Sequence, residues 1–242
     1  MSNKILKIEK ERELFDKHKK DYQDSINEQI GSFGGDHNLY LEIKANHLKD
    51  YISKNIKNKT KVKILDFGCG HGFMHPFFNK DEFEIEGCDP ATEVIELAKK
   101  INPHFSYSDF DGEHLPYEND TFDVSIAVSV IRHVPPELWL NSIKELKRVT
   151  KENGFVIVYE HNPLNPLTLR LVNNCPLDEN ANLLRMNKMK KLYFEAGFKK
   201  IKKQFIIFFP FKAEIFRILE KLISKIPLGA QYFVSGKVQK ES

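Results

Sequence analysis

The sequence predicts an α/β fold in which helices cover both faces of a mostly parallel sheet. From residue 61 onward, short apolar runs alternate with longer amphipathic segments, as expected for strands that are buried on both sides. A glycine-rich turn follows the first of these runs. The chain of 242 residues is also long enough to bury a core without metal or disulfide cross-links.

Seven apolar runs are the predicted strands. They cover residues 63–67, 84–88, 104–108, 122–128, 154–159, 201–208 and 231–236. Between them, TEVIELAKKI (92–101) and PPELWLNSIKELKRV (135–149) carry apolar residues at intervals of three and four, which predicts amphipathic helices.

Two regions fall outside this alternation. Residues 1–60 are polar and helical in character, and we expect them to form an N-terminal cap or substrate segment beside a domain of residues 61–242. A helical insert at about residues 209–230 carries an apolar stripe of Ile215, Ile218, Leu219, Leu222, Ile223 and Ile226. Three roles stay open for the insert: a lid, a dimer surface, or a peripheral contact in the plane of a membrane.

Charge and composition narrow the class of protein. The 37 Lys and Arg residues nearly balance 34 Asp and Glu residues, and a net charge of +3 offers no broad cationic field for nucleic acid. The strongly apolar stretch 205–211 is too short for a transmembrane segment, and the charged N-terminus lacks a secretory core. We therefore expect a cytoplasmic monomer or homodimer with no nucleic-acid partner. Cys69, Cys88 and Cys175 lack CxxC spacing, which predicts free thiols.

The most informative motif is KILDFGCGHG (63–72), in which the first strand ends at Asp66 and the chain turns through three glycines. Such a turn lets a cofactor lie against the backbone at the carboxyl end of a strand. The dinucleotide fingerprint requires a glycine at position 73, where the chain has Phe73, and the phosphate-loop lysine is also absent. The loop therefore selects neither a nicotinamide cofactor nor a nucleoside triphosphate.

The remaining pattern, DxGxGxG after a first strand, resembles the class I S-adenosylmethionine-dependent methyltransferases over about residues 36–200. The resemblance implies a Rossmann-like sheet of seven strands, mostly parallel, with the last strand antiparallel. It implies S-adenosylmethionine as cofactor and S-adenosylhomocysteine as product. In that family the loop lies under the methionine half of the cofactor. The resemblance implies this role for Asp66, Gly68 and Gly70.

Further motifs extend the resemblance along the chain. An acid that ends the second strand binds the ribose in this family, and EIEGCDP supplies Asp89 with Pro90 after it. The stretch DGEHLPYENDTFDV (111–124) is similar to the family segment that recognises adenine. The resemblance implies that Asp111 and Gly112 contact the adenine. The segment AVSVIRHV (127–134) matches the end of the fourth strand beneath the sulfonium. That match places Ser129 and His133 near the cofactor.

The N-terminal segment is similar to the cap of small-molecule methyltransferases. Its candidates to cover the cofactor or to meet its carboxylate are Tyr22, Phe33, Tyr40 and Lys44, with GSFGG (31–35) as a hinge.

Methyl transfer to a hydroxyl is helped by a base, and His133 and His161 are the best-placed imidazoles. His71 and His75 have helical spacing for a metal, but no further ligands are evident, so we expect no metal. We expect O-methylation of a small or carrier-linked molecule of sugar, lipid or secondary-metabolite type. The alternatives are a catalytically silent cofactor-binding protein and an RNA methyltransferase.

Overall fold

The computed structural model describes residues 3–18, 37–209, 219–220 and 222–240 of the chain. Within these ranges the sheet has seven strands, which confirms the predicted number. They are β1 (Val62–Phe67), β2 (Phe83–Asp89), β3 (Ser106–Asp109), β4 (Phe122–Val128), β5 (Thr150–His161), β6 (Lys200–Ile206) and β7 (Gln231–Lys237).

The strand order is β3-β2-β1-β4-β5-β7-β6. The pairs among β1 to β5 are parallel, whereas β7 runs antiparallel to both β5 and β6. The predicted Rossmann-like sheet with an antiparallel last strand is therefore confirmed. Because the chain leaves β1 toward β2 and returns on the other side at β4, a crevice forms at the carboxyl ends of these strands. Open α/β sheets bind ligands at such a switch point.

Six α-helices are described around the sheet. They are α1 (Asn3–Lys17), α2 (His37–Asn55), α3 (Thr92–Ile101), α4 (Trp139–Val149), α5 (Pro166–Asn174) and α6 (Met186–Glu195). The amphipathic helices predicted at 92–101 and 135–149 are confirmed as α3 and α4, and a 3-10 turn at Pro136–Leu138 precedes α4. None of the described helices is long and apolar enough to span a membrane.

The core lies on both faces of the sheet, because alternate strand residues point to opposite sides. On one face, Ile64, Val124, Ile126 and Ile157 join the buried side of α2, which is formed by Leu41, Ala45, Leu48 and Ile52. On the other face, α4 and α6 cover Leu65, Ala127, Val156 and Val158. Helix α2 is thus a layer of the sheet core, and the division of the chain at residue 60 stays a prediction.

Part of the predicted insert also packs beside the sheet. The Phe205 amide of β6 donates to the Ser224 carbonyl at 2.7 Å, and the Glu220 carboxylate accepts from the amides of Phe208 and Phe209. Residues 210–218 and 221 lie outside the described ranges, so the three roles considered for the insert stay open.

Candidate functional site

A cavity of about 400 Å³ lies at the carboxyl ends of β1, β2, β4 and β5. Most of the residues that the sequence predicts for the site line it. They are Tyr40, Lys44, Asp66, Gly68, Gly70, Asp89, Pro90, Gly112, Ser129, His133 and His161. The strand ends thus bring to one place residues that are far apart in the chain.

Two glycines shape the loop after β1. Gly68 and Gly70 both have left-handed backbone angles, with φ of +67° and +53°. A Cβ at Gly68 would lie 2.0 Å from a methyl carbon of Val130, whereas a Cβ at Gly70 would meet no atom within 4 Å. The loop therefore packs tightly against the segment after β4 at Gly68 and leaves open space above Gly70, where a ligand can approach the backbone.

Asp66 is buried at the end of β1 and is held by His75. The Nε2 atom of His75 lies 2.9 Å from Oδ2 of Asp66, and its Nδ1 atom lies 2.5 Å from the Tyr107 hydroxyl. Oδ1 of Asp66 has no hydrogen-bond partner among the described residues. One carboxylate oxygen is thus fixed by the protein, and the other can accept from a bound cation. His75 thus positions Asp66. His71, four residues earlier, stacks instead on Phe73, with ring centroids 4.9 Å apart.

Asp89 closes the same loop from β2. Its Oδ2 accepts from the Gly70 amide at 3.0 Å and its Oδ1 from the Ala91 amide at 2.9 Å. Burial raises the pKa of Asp89 to about 6, against the effect of these two hydrogen bonds. Each oxygen retains a further lone pair for a ligand hydroxyl.

Asp111 does not join these residues, contrary to the sequence expectation. It is absent from the cavity lining, and its side chain is 60% exposed. Its Oδ1 instead accepts from the amides of Glu113 and His114, each at 2.7 Å, so the carboxylate caps a turn. Gly112 does reach the cavity, where Ile8 of α1 lies against it. Direct recognition of adenine by Asp111 stays a prediction that this geometry does not support.

The segment after β4 carries a buried ion network. Arg132 donates through Nε to Oδ1 of Asp178 at 2.7 Å, and its Nη1 lies 3.5 Å from Oε2 of Glu160. The same guanidinium also donates to the Ser129 carbonyl. Ser129 adopts a left-handed conformation with φ of 61°, and its hydroxyl has no partner among the described residues.

His133 belongs to that network, which argues against its predicted role as a base. Its Nδ1 lies 3.1 Å from Oε2 of Glu11, and its Nε2 lies 3.3 Å from Oδ1 of Asp178. Burial and Arg132 act to lower the pKa of His133, but the two carboxylates outweigh them and raise it. A protonated ring that donates from both nitrogens has no lone pair with which to accept a proton.

His161, at the end of β5, is in the opposite state. Burial, together with the charge of Arg132, holds the pKa of His161 well below its usual value, so the ring is neutral. Its Nδ1 has no hydrogen-bond partner among the described residues, and the same is true of Oε1 of Gln231. These two residues face each other across the antiparallel pair β5 and β7, and both line the cavity. The predicted base is therefore accompanied by a second polar group.

Lys44 presents a buried ammonium group to the cavity from α2. Burial, reinforced by the charge of Arg132, lowers its pKa to about 8, while Glu160 and Asp66 oppose the shift. The side chain forms no hydrogen bond or ion pair with any described residue. A buried cation in this state favours an anionic ligand.

Helix α1 lies within the predicted N-terminal cap segment, but the residues through which it forms a wall of the cavity were not among the named candidates. Ile8, Glu11, Arg12 and Phe15 line it, and the Arg12 guanidinium donates to the Thr92 hydroxyl at 2.6 Å. Of the named cap candidates, Tyr40 and Lys44 line the cavity, whereas Tyr22, Phe33 and the glycine hinge 31–35 lie outside the described ranges. A signal for α1 was available in Ile8 and Phe15, which are seven residues apart and so share a helix face.

Comparison with known families gives one match, to a model described as "Methyltransferase domain", over residues 65–158. The matched span runs from β1 to β5 and contains the glycine loop, Asp89 and Ser129. It confirms the family resemblance that the sequence motifs predict.

Comparison with individual proteins agrees with this match. The chain is 32% identical over 132 residues to a tRNA (carboxymethyluridine(34)-5-O)-methyltransferase of Saccharomyces cerevisiae, covering 51% of this chain and 46% of the yeast protein. It is 27% identical over 109 residues to the ubiquinone/menaquinone biosynthesis C-methyltransferase UbiE of Campylobacter jejuni, covering 42% and 46%. The chain thus spans about half the length of these relatives.

A solved structure extends the likeness in fold beyond the matched span. The crystal structure of a SAM-dependent methyltransferase from Archaeoglobus fulgidus superposes with a TM-score of 0.61 over 81% of this chain and 94% of that chain. The sequence identity is 18%, so this comparison concerns the fold alone.

Proposed function

We propose, for a chain that carries a class I S-adenosylmethionine-dependent methyltransferase domain, the transfer of a methyl group from S-adenosylmethionine to a hydroxyl of a small or carrier-linked molecule. The observation that carries this proposal is the cavity in which Asp66, Asp89, Lys44 and His161 converge. No one of these residues is specific, but together they offer partners for a zwitterion, a ribose and a proton.

The residues present fit the cofactor. The unpartnered Oδ1 of Asp66 suits its ammonium group, and the buried ammonium of Lys44 suits its carboxylate. Asp89 supplies two acceptor oxygens for the vicinal ribose hydroxyls. The open space above Gly70 admits the chain that joins these groups. Tyr40, Pro90, Gly112 and Ser129 complete the proposed binding surface.

When bound, S-adenosylmethionine supplies an electrophilic methyl group on a sulfonium. The protein has to align the nucleophile with that group, and alignment of this kind provides several kcal/mol of rate acceleration. We assign His161 as the base that takes the hydroxyl proton at Nδ1, because that atom is buried, neutral and unpartnered. Gln231 lies beside it, across the β5 and β7 pair.

Asp89→Ala tests the ribose assignment. Loss of hydrogen bonds to a charged acceptor costs about 1.5 to 3 kcal/mol each, so we expect the Kd for S-adenosylhomocysteine to rise at least about tenfold. Calorimetry measures the change. Asp81→Ala, at an exposed turn away from the cavity, is the matched control and should leave the Kd unchanged. Equal affinity of Asp89→Ala and the native protein would reject the ribose role.

The lowered pKa of Lys44 predicts that cofactor binding depends on pH. Its pKa is lowered to about 8, so the charged form that attracts a carboxylate is lost as the pH rises through that value. Between about pH 7 and about pH 9 the Kd for S-adenosylhomocysteine should therefore rise about tenfold, since one pKa unit corresponds to a factor of ten in population. In Lys44→Met the Kd should be higher than that of the native protein at about pH 7, and it should change little between about pH 7 and about pH 9. A steep dependence that persists in this variant would assign the titration to another group.

An RNA substrate is the second candidate, and the likeness to the yeast tRNA methyltransferase favours it. The balanced charge of this chain opposes it, because phosphate contacts require clustered Lys and Arg. Binding to total tRNA that weakens steeply with added salt would support the RNA substrate. A silent cofactor-binding protein is the third reading, and it would bind S-adenosylhomocysteine without any methyl transfer.

The deciding experiment is a screen of acceptors with S-adenosylmethionine, scored by released S-adenosylhomocysteine. Sugars, phenols and aliphatic alcohols form one arm, and total tRNA forms the other. We expect turnover in the first arm. Turnover confined to the second would replace this proposal with the RNA candidate.

A further inference from the structure

One part of the cavity lining, which we call the α5 wall, carries mostly apolar side chains. Leu167 and Leu171 of α5 line it, as do Leu177 and the two residues after β6, Ile207 and Phe208. The predicted strand 201–208 in fact ends at Ile206, and Ile207 has a φ of 60°. The backbone thus leaves the sheet at this point, and the next two side chains contribute to the cavity instead of extending the strand.

The polar side chains on this wall are already satisfied by the protein. Asn165 caps α5, since its Oδ1 accepts from the amides of Leu167 and Thr168, and its Nδ2 donates to the Leu228 carbonyl at 2.6 Å. The Thr168 hydroxyl donates to the Ala230 carbonyl at 2.9 Å. A polar molecule placed against this wall would lose its hydration without gaining partners. Two of the cavity-lining residues that do carry an unpartnered polar atom are His161 and Gln231.

The wall opens onto a set of exposed leucines, which we call the leucine rim: Leu164, Leu167 and Leu228. Leu167 is 57% exposed although it lines the cavity, so it marks the mouth. The bond from Asn165 to the Leu228 carbonyl holds the other side of the rim against the start of α5. Leu167 therefore belongs both to the cavity lining and to the exposed apolar surface of the leucine rim.

We infer that the acceptor is an amphiphile, with a hydroxyl that donates to Nδ1 of His161 and an apolar chain that runs along the α5 wall and out over the leucine rim. This inference rests on the proposed function and narrows its substrate class. The hydroxyl meets the unpartnered Nδ1 of His161, and the chain covers surface that offers nothing to a charged or sugar-like group.

The test is the dependence of binding on chain length. Protein saturated with S-adenosylhomocysteine is titrated by calorimetry with phenol and with 4-ethyl-, 4-butyl- and 4-hexylphenol. Each methylene buried along the wall should lower the Kd by about threefold to fourfold. Because binding and not turnover is read, the result does not depend on finding the natural acceptor.

Two variants locate the effect. Leu167→Lys places a charge at the mouth, where the native side chain is already largely exposed, so folding should be preserved. We expect it to flatten the dependence on chain length for the longer phenols. Phe194→Lys is the matched control, because Phe194 is 74% exposed on α6 and lies outside the cavity. It should leave the dependence as in the native protein.

The inference is overturned if the Kd does not change with chain length, if no alkylphenol binds, or if Leu167→Lys retains the full dependence. These outcomes differ from failure of the proposed function, which would appear earlier as the absence of S-adenosylhomocysteine binding.

Discussion

His161→Ala is expected to lower kcat by about 10²-fold to 10⁴-fold, the range that a positioned general base contributes, while the Kd for S-adenosylhomocysteine stays nearly constant. The reason is that His161 lines the cavity and that its Nδ1 is neutral and has no hydrogen-bond partner among the described residues. Turnover is measured with an acceptor found in the screen. Since the pKa of His161 is held low, kcat should not decline through the usual titration range of histidine as the pH falls.

Two further alanine variants are compared with His161→Ala. His104→Ala, at an exposed position away from the cavity, should leave kcat unchanged. His133→Ala should weaken the docking of α1 through the loss of its contact with Glu11, and its effect should appear mainly in cofactor affinity. If kcat fell by the larger factor in His133→Ala and not in His161→Ala, the two assignments would have to be exchanged.

Arg132→Met is expected to lower the free energy of unfolding by about 3 to 5 kcal/mol. Arg132 is buried and bonded to the carboxylates of Asp178 and Glu160, so its removal leaves buried charge without compensation. Denaturation in guanidinium chloride measures the loss. Lys99→Met, which removes an exposed helix pair with Glu96, is the control and should cost about 0.5 kcal/mol or less.

A second substitution checks the cause. If the cost comes from a carboxylate left without its cation, adding Glu160→Gln to Arg132→Met should recover part of the lost stability, because Glu160 loses its ion pair whereas Asp178 keeps His133. If the double variant unfolds with a lower free energy than Arg132→Met, packing and not charge sets the effect.

The sheet could be predicted from sequence because its signal is local. The run FVIVY (155–159) in β5 is apolar on both faces, and only a strand between two helical layers buries it completely. The glycine loop and Asp89 could be predicted for a related reason, since parallel strands bring their carboxyl ends to one edge whatever the helices do. The antiparallel last strand followed from the family resemblance and not from the residues alone, and the strand order was not part of the prediction.

The rest of the site depends on contacts between distant parts of the chain, which no local pattern encodes. Asp178 follows Arg132 by 46 positions and meets it only because the segment after α5 folds back over β4. Glu11 reaches His133 across 122 positions, and this contact changes that histidine from a candidate base into an ion-pair partner. His75 showed helical spacing for a metal, yet packing brings it to Asp66.

Calorimetric titration of the native protein with S-adenosylhomocysteine and, in parallel, with NAD⁺ tests the central claim most directly. The geometry around Asp66, Asp89 and Lys44 predicts binding of one S-adenosylhomocysteine per chain and no binding of NAD⁺. Tight binding of NAD⁺ without any binding of S-adenosylhomocysteine would contradict the claim that this cavity belongs to a methyltransferase.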